Sequence, residues 1–121
     1  MEKKITVADV AAALDLKVLS GEKGLDRMVT GGYVSDLLSD VMGHADAGQL
    51  WMTLQTHKNV MAIASLKDLA AILLVNGNQP EEDTARQSDL EGIPILGSSL
   101  EAFEITGKVY EHLKKNAIIQ R

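Results

Sequence analysis

Ala70-Ala71-Ile72-Leu73-Leu74-Val75, closed by Asn76-Gly77-Asn78 and followed by Pro80-Glu81-Glu82-Asp83, decides the fold. An apolar run of this length between turn residues reads as a strand covered on both faces. Pro80 suits the first turn of a helix, and the acidic residues behind it favour a helix N-terminus. Gly92 stops that helix, and Ile93-Pro94-Ile95-Leu96 reads as the next strand. Strand, helix and strand joined by short links are the unit of a parallel sheet.

The same pattern extends in both directions. Upstream, Leu50-Trp51-Met52-Thr53-Leu54 reads as a strand, and Thr56 can cap a helix carrying Val60, Met61, Ile63, Ala64 and Leu66. Before it, Met28 to Val34 reads as a strand interrupted by Gly31 and Gly32. Ser35 or Asp36 can cap a helix with Leu37, Leu38, Val41 and Met42. Thr6 can cap a first helix, with Asp9 completing a capping box and Val7, Val10, Ala11 and Leu14 on one face. Leu16-Lys17-Val18-Leu19 is a short strand, and Ser20-Gly21-Glu22-Lys23-Gly24 is a turn. Downstream, Ser98 or Ser99 caps a last helix whose Ala102, Phe103, Ile105, Val109, Tyr110 and Leu113 fall on one broad side. The expected fold is α/β: a single-domain three-layer sandwich, its mostly parallel sheet of about five strands covered by helices on both faces.

Composition narrows the function classes. The chain has 121 residues, no cysteine, 45% hydrophobic and 24% charged residues, and a net charge of −5. A domain of this size buries roughly two thirds of its extended-chain surface and needs no staple. Without cysteine there is no disulfide, thiol nucleophile or thiolate metal site. No apolar run approaches the ~20 residues that span a bilayer, and Met1-Glu2-Lys3-Lys4-Ile5-Thr6 has no apolar core after its lysines. A cytoplasmic protein that engages neither membrane nor nucleic acid is expected, since negative charge disfavours phosphate backbones.

Candidate site residues cluster where the strands end. Carboxyl ends of parallel strands form the usual ligand crevice of open α/β sheets. Ser35, Gln55, Thr56, His57, Asn76, Ser98 and Ser99 would converge there and form the expected ligand site. Each also has an ordinary role as a turn or cap. Asp36 beside Ser35 would repel phosphate. His57 could titrate near neutral pH, but no nucleophile pattern surrounds it. His44, His57 and His112 lack metal-ligand spacing, so neither a metal nor a cofactor is expected. Asp26 and Arg27 are read as an ion pair fixing the loop before the second strand. At least one of Gly31 and Gly32 is expected to hold a conformation closed to other residues, or to meet another backbone too closely for a Cβ.

Asp26-Arg27, Thr30-Gly31-Gly32 and Ser35-Asp36 resemble the signature of the DRTGG domain family. Leu54-Gln55-Thr56-His57-Lys58-Asn59, Ile72 to Gly77, Gly92 to Leu96 and Phe103 to Tyr110 continue the resemblance over about residues 5–113. Residues 1–121 then read as a single DRTGG-like domain. The resemblance implies a fold like the amino-terminal domain of HPr kinase/phosphorylase. Similar domains occur in some phosphate acetyltransferases and between the nucleotide-binding CBS domains of some family II pyrophosphatases, with the catalytic machinery elsewhere. This chain has no GxxxxGK[ST] phosphate loop.

The reading that follows is a stand-alone regulatory module without catalytic activity, acting as a homodimer and through a protein partner. Its dimer surface is expected around Asp26 to Val34 and the following helix. Met28, Val29, Tyr33, Val34, Leu37, Leu38, Val41, Met42, Leu50, Trp51 and Met52 exceed what one core face there needs. The alternative is a sensor of adenine nucleotides or other small anionic ligands at the strand carboxyl ends. A small enzyme using His57 is the weaker alternative.

Overall fold

The computed structural model describes residues 4–120. Met1, Glu2 and Lys3 of the lysine-bearing N-terminal stretch, and Arg121, lie outside the described residues. The elements run α1 (Val7–Ala13), β1 (Lys17–Ser20), a single 3₁₀ turn (Glu22–Gly24), β2 (Gly31–Val34), α2 (Leu38–His44), β3 (Gln49–Thr53), α3 (Asn59–Leu66), β4 (Ala71–Leu74), α4 (Glu82–Glu91), β5 (Ile95–Gly97) and α5 (Ala102–Lys115).

One five-stranded sheet has the order β1-β5-β4-β3-β2. β2 to β5 run parallel, and β1 is an antiparallel edge strand on β5. Three consecutive crossovers therefore build the sheet in one direction. Side-chain alternation divides the core. Leu50, Met52, Ala71, Leu73 and Leu96 face α1 and α5, which bury Val7, Val10, Ile105, Val109 and Leu113. Trp51, Ile72, Leu74 and Ile95 face the other way, towards Val41 of α2 and Val60, Met61, Ile63 and Ala64 of α3. This is the expected three-layer α/β sandwich.

α4 is held differently. Its buried residues are Thr84 and Ser88, and its only leucine, Leu90, is exposed. Ser20 Oγ donates to Ser88 Oγ (2.8 Å), which donates to the Ile93 carbonyl (2.7 Å). Thr84 Oγ1 donates to the Thr56 carbonyl at 2.8 Å. Hydroxyls can be buried here because each has a partner.

Several local expectations are corrected. Thr6 does cap α1, accepting from the Asp9 N–H while Asp9 accepts from the Thr6 N–H. The caps of α2, α3 and α5 are instead Leu37, Lys58 and Glu101, none with a side-chain bond. Ser35 Oγ accepts from the Leu37 N–H, His57 Nδ1 from the Asn59 N–H, and Ser98 Oγ from the Leu100 N–H. Each closes a turn two residues on, an alternative that such polar side chains offer the backbone. Pro80 precedes the Glu81 cap and stands outside α4. On α5, Phe103 is 94% exposed and Tyr110 47%, because the buried stripe is the narrower Ile105-Val109-Leu113 row. Of the apolar residues assigned to a dimer surface, Val29, Val41, Leu50, Trp51 and Met52 are buried in the monomer, whereas Met28, Val34, Leu37 and Met42 are exposed.

Candidate functional site

The carboxyl ends of the strands carry two separate constellations. At β2 and β3, Asp36 Oδ1 accepts from Thr53 Oγ1 (2.8 Å) and the Leu54 N–H (2.7 Å). Gln55 Nε2 donates back to the Asp36 carbonyl at 2.9 Å, and Trp51 Nε1 donates to the Ser35 carbonyl at 2.8 Å. Asp36 therefore ties two strand exits together and does not cap α2. Tyr33 closes the same corner, its hydroxyl donating to Asp40 Oδ2 at 2.9 Å. That bond, then one with Ser35, holds the Asp40 carboxyl below the usual carboxylate range, and Asp40 pushes the Tyr33 hydroxyl up. Thr56 offers its carbonyl to the Glu81 N–H and Thr84 Oγ1, and His57 is exposed.

At β4 and β5 the chain opens a crevice. The connection after β4 crosses on the α3 face, while that after β5 returns on the α1 face. The loops after β4 and β5 thus part to opposite faces, as the loops around the ligand crevice of open α/β sheets do. Asn76 and Gly77 turn through left-handed conformations there (φ 59° and 72°). The Asn76 N–H donates to the Leu100 carbonyl at 2.7 Å, and the Gly77 N–H to the Ser98 carbonyl at 2.8 Å. A concavity of about 390 Å³ results, lined by Asp15, Lys17, Asn78, Gln79, Ser98 and Ser99 among others.

The seven expected ligand residues are thus divided. Ser98 and Ser99 line the β4–β5 crevice, and Asn76 adjoins it through Gly77. Ser35, Gln55, Thr56 and His57 line neither this crevice nor the concavity between β2 and α5. Gly77 and Asn78, whose turn offers backbone N–H groups and a small polar side chain at the end of β4, line the crevice too, whereas Lys17 and Gln79 carry no local signal, because local pattern says nothing of which strand β1 joins.

The signature residues sit at the other end of β2. Arg27 does not pair with its neighbour Asp26. Its Nη2 donates to Asp68 Oδ1 (2.6 Å) and to the Leu69 carbonyl (3.1 Å). Thr30 Oγ1 donates to the Ala47 carbonyl at 2.9 Å. Gly31 and Gly32 have no left-handed backbone, and neither meets another backbone closely. A Cβ on Gly32 would stand 3.0 Å from Met52 Cε, the mobile tip of a side chain, and 3.7 Å from the Leu50 carbonyl oxygen. The expectation of closed backbone positions there is corrected. Such a position is Gly21, where a Cβ would stand 2.5 Å from the Ile93 carbonyl oxygen at φ +71°. Gly31 and Gly32 instead line a second concavity, against α5.

Among the described residues no cluster of histidine and carboxylate side chains could hold a metal, and no helix is long and apolar enough to cross a membrane. No protein-family model and no curated protein sequence matches the chain. Among solved structures it is similar to the CBS and DRTGG domains of the regulatory region of Clostridium perfringens pyrophosphatase, complexed with the activator diadenosine tetraphosphate. The TM-score is 0.65 at 8% identity, over 86% of this chain and 45% of that one. The chain spans less than half of that regulatory-region chain, and the likeness is one of fold. The sheet order, the layers and this likeness together give the chain a DRTGG-like α/β fold.

Proposed function

We propose that the chain is a regulatory interaction module without catalytic activity that works as a homodimer and through contacts with a protein partner. The observation that carries this reading is the open edge of the sheet at β2. The strand pairs only with β3 among the described residues, and α2, bonded to it through Tyr33 and Asp40, leaves Leu37 63% and Met42 40% exposed. An uncovered edge strand is a template for a second strand, and two copies can meet there antiparallel about a two-fold axis. The regulatory role is supported by the fold of the pyrophosphatase region. The sequence adds support, since it pairs no nucleophile with a base.

Sedimentation equilibrium at micromolar concentration tests the dimer. A mass near 26 kDa (2 × 13.0) is expected, and a persistent 13.0 kDa species rejects it. A stable dimer would bury about 1,000 Å² or more in total.

A second reading is favoured by the β4–β5 crevice. There Lys17, Ser98 and Ser99 offer one cation and two hydroxyls to a small anion or adenine nucleotide, against the repulsion of the Asp15 carboxylate on the same lining. Titration of ¹⁵N-labelled protein with ATP and diadenosine tetraphosphate tests it. Shifts clustered at Asn76, Gly77, Ser98 and Ser99 support it, and their absence rejects it.

A further inference from the structure

The concavity between β2 and α5 has a different make-up from the β4–β5 crevice. It holds about 380 Å³, the size of a small-molecule pocket. In the pairing of β2 with β3, Gly32 stands opposite Leu50 and Val34 opposite Met52. Both therefore face the α5 layer, as Leu50 and Met52 do. The missing side chain at Gly32 leaves space between the edge strand and the Val109–Leu113 turn of α5 unfilled. Val34, Met52, Val109 and Leu113 supply apolar walls, Thr30, Gln49 and Gln120 supply uncharged polar ones, and Val34 is 49% exposed at the mouth.

Two further observations define the chemistry. No charged side chain among the described residues lines the cavity, so a charged ligand would give up hydration without a counter-charge. Thr106 lines it from α5, and its hydroxyl is buried without a hydrogen-bond partner. A threonine inside a helix commonly bonds the carbonyl one turn back, and this one does not. A buried hydroxyl left unpaired in the protein calls for a partner from elsewhere. We propose that this cavity binds an uncharged small molecule whose apolar part packs on Val34, Met52 and Leu113 and which pairs one polar group with Thr106, turned into the cavity about χ1. The site shares Gly31, Gly32 and Val34 with the β2 edge and is separate from the anion crevice.

Titration of ¹⁵N-labelled protein with indole, and with indole-3-acetate as its charged counterpart, tests the proposal. Indole should give saturable shifts at the amides of Gly31, Gly32, Thr106 and Gln120. Indole-3-acetate should bind about tenfold more weakly or worse, for want of a counter-charge. Gly32→Leu, whose side chain fills the cavity, should abolish the indole response. Thr106→Val keeps the shape and should weaken indole about three- to tenfold, the share of one hydrogen bond. No saturable shift at these amides, equal binding of the two probes, or unchanged indole binding in Thr106→Val would each overturn the proposal. If Gly32→Leu does not fold, the probe comparison and Thr106→Val decide. Both are read at a protein concentration of known sedimentation mass, since β2 lines the cavity and also forms the proposed dimer edge, and neither depends on the ATP titration.

Discussion

Arg27 Nη2 donates to Asp68 Oδ1 at 2.6 Å and to the Leu69 carbonyl at 3.1 Å, joining the loop before β2 to the turn between α3 and β4. The two bonds differ in worth. Asp68 is 75% exposed, so water screens the ion pair, whereas the carbonyl bond is part-buried. An exposed pair contributes about 0–1 kcal/mol, and a hydrogen bond from a charged donor about 1.5–3. Arg27→Ala should therefore lower the urea unfolding free energy by about 2 kcal/mol, and Asp68→Asn by less than about 0.5. Equal losses in the two variants would show that the ion pair dominates.

Glycine substitutions should separate shape from strain. Gly21 has φ +71° and lies against the Ile93 carbonyl. Gly21→Ala must move backbone and should cost about 3 kcal/mol or more. Gly32 has ordinary strand backbone, and only a flexible methionine tip opposes a Cβ. Gly32→Ala should change stability by less than about 1 kcal/mol, since lost unfolded-state freedom offsets the crowding. Thermal unfolding of both variants checks the contrast, and a severe loss in Gly32→Ala would restore the idea of a closed position there.

What the chain discloses about itself follows the range of the forces involved. The strands around Leu50 to Thr53 and Ala71 to Leu74 are legible because burial on both faces demands unbroken apolar residues. The Thr6–Asp9 box is legible because both its bonds are local. α4 shows the limit. Its attachment runs through Ser20, Ser88 and Thr84, and no apolar pattern announces hydroxyls that are paired across 68 residues or 28. Ser35, His57 and Ser98 are ambiguous for another reason. The side chain that caps a helix can equally close a turn before it, and tertiary packing decides between them. The division of the expected ligand residues has a topological cause. Which face a crossover takes is set by strand order, which no local window contains.

The Tyr33–Asp40 bond should appear in the pH dependence of stability. Asp40 is held below its ordinary pKa by the Tyr33 hydroxyl. Its contribution is present above the unfolded value, about 4, and is lost as pH falls through the lower folded value. Tyr33 is pushed up by Asp40. Its contribution is present below about pH 10 and is lost as pH rises through the folded value. Urea titrations of the natural protein and Tyr33→Phe should differ most between these limits and converge beyond both. A difference independent of pH would assign the effect to packing.

Val29 and Leu37 distinguish the core from the dimer surface. Val29 is 3% exposed, lies in the core beneath α1, and donates its N–H to the Ile5 carbonyl. Leu37 is 63% exposed at the start of α2. Glutamate at Val29 would bury a carboxylate with no counter-charge, at a cost of several kcal/mol. Val29→Glu should therefore abolish folding, and it cannot report on association. Leu37→Glu leaves the monomer nearly untouched, since surface changes stay within about 0.5 kcal/mol. In a dimer closed at the β2 edge it would place two carboxylates about the two-fold axis and strip apolar area from both copies. The expected result is a shift from 26 to 13.0 kDa (2 × 13.0 to 1 × 13.0) with an unchanged circular dichroism spectrum. A Leu37→Glu protein that still sediments as a dimer would move the interface away from α2, and the exposed Phe103 and Tyr110 face of α5 would be the next surface to change.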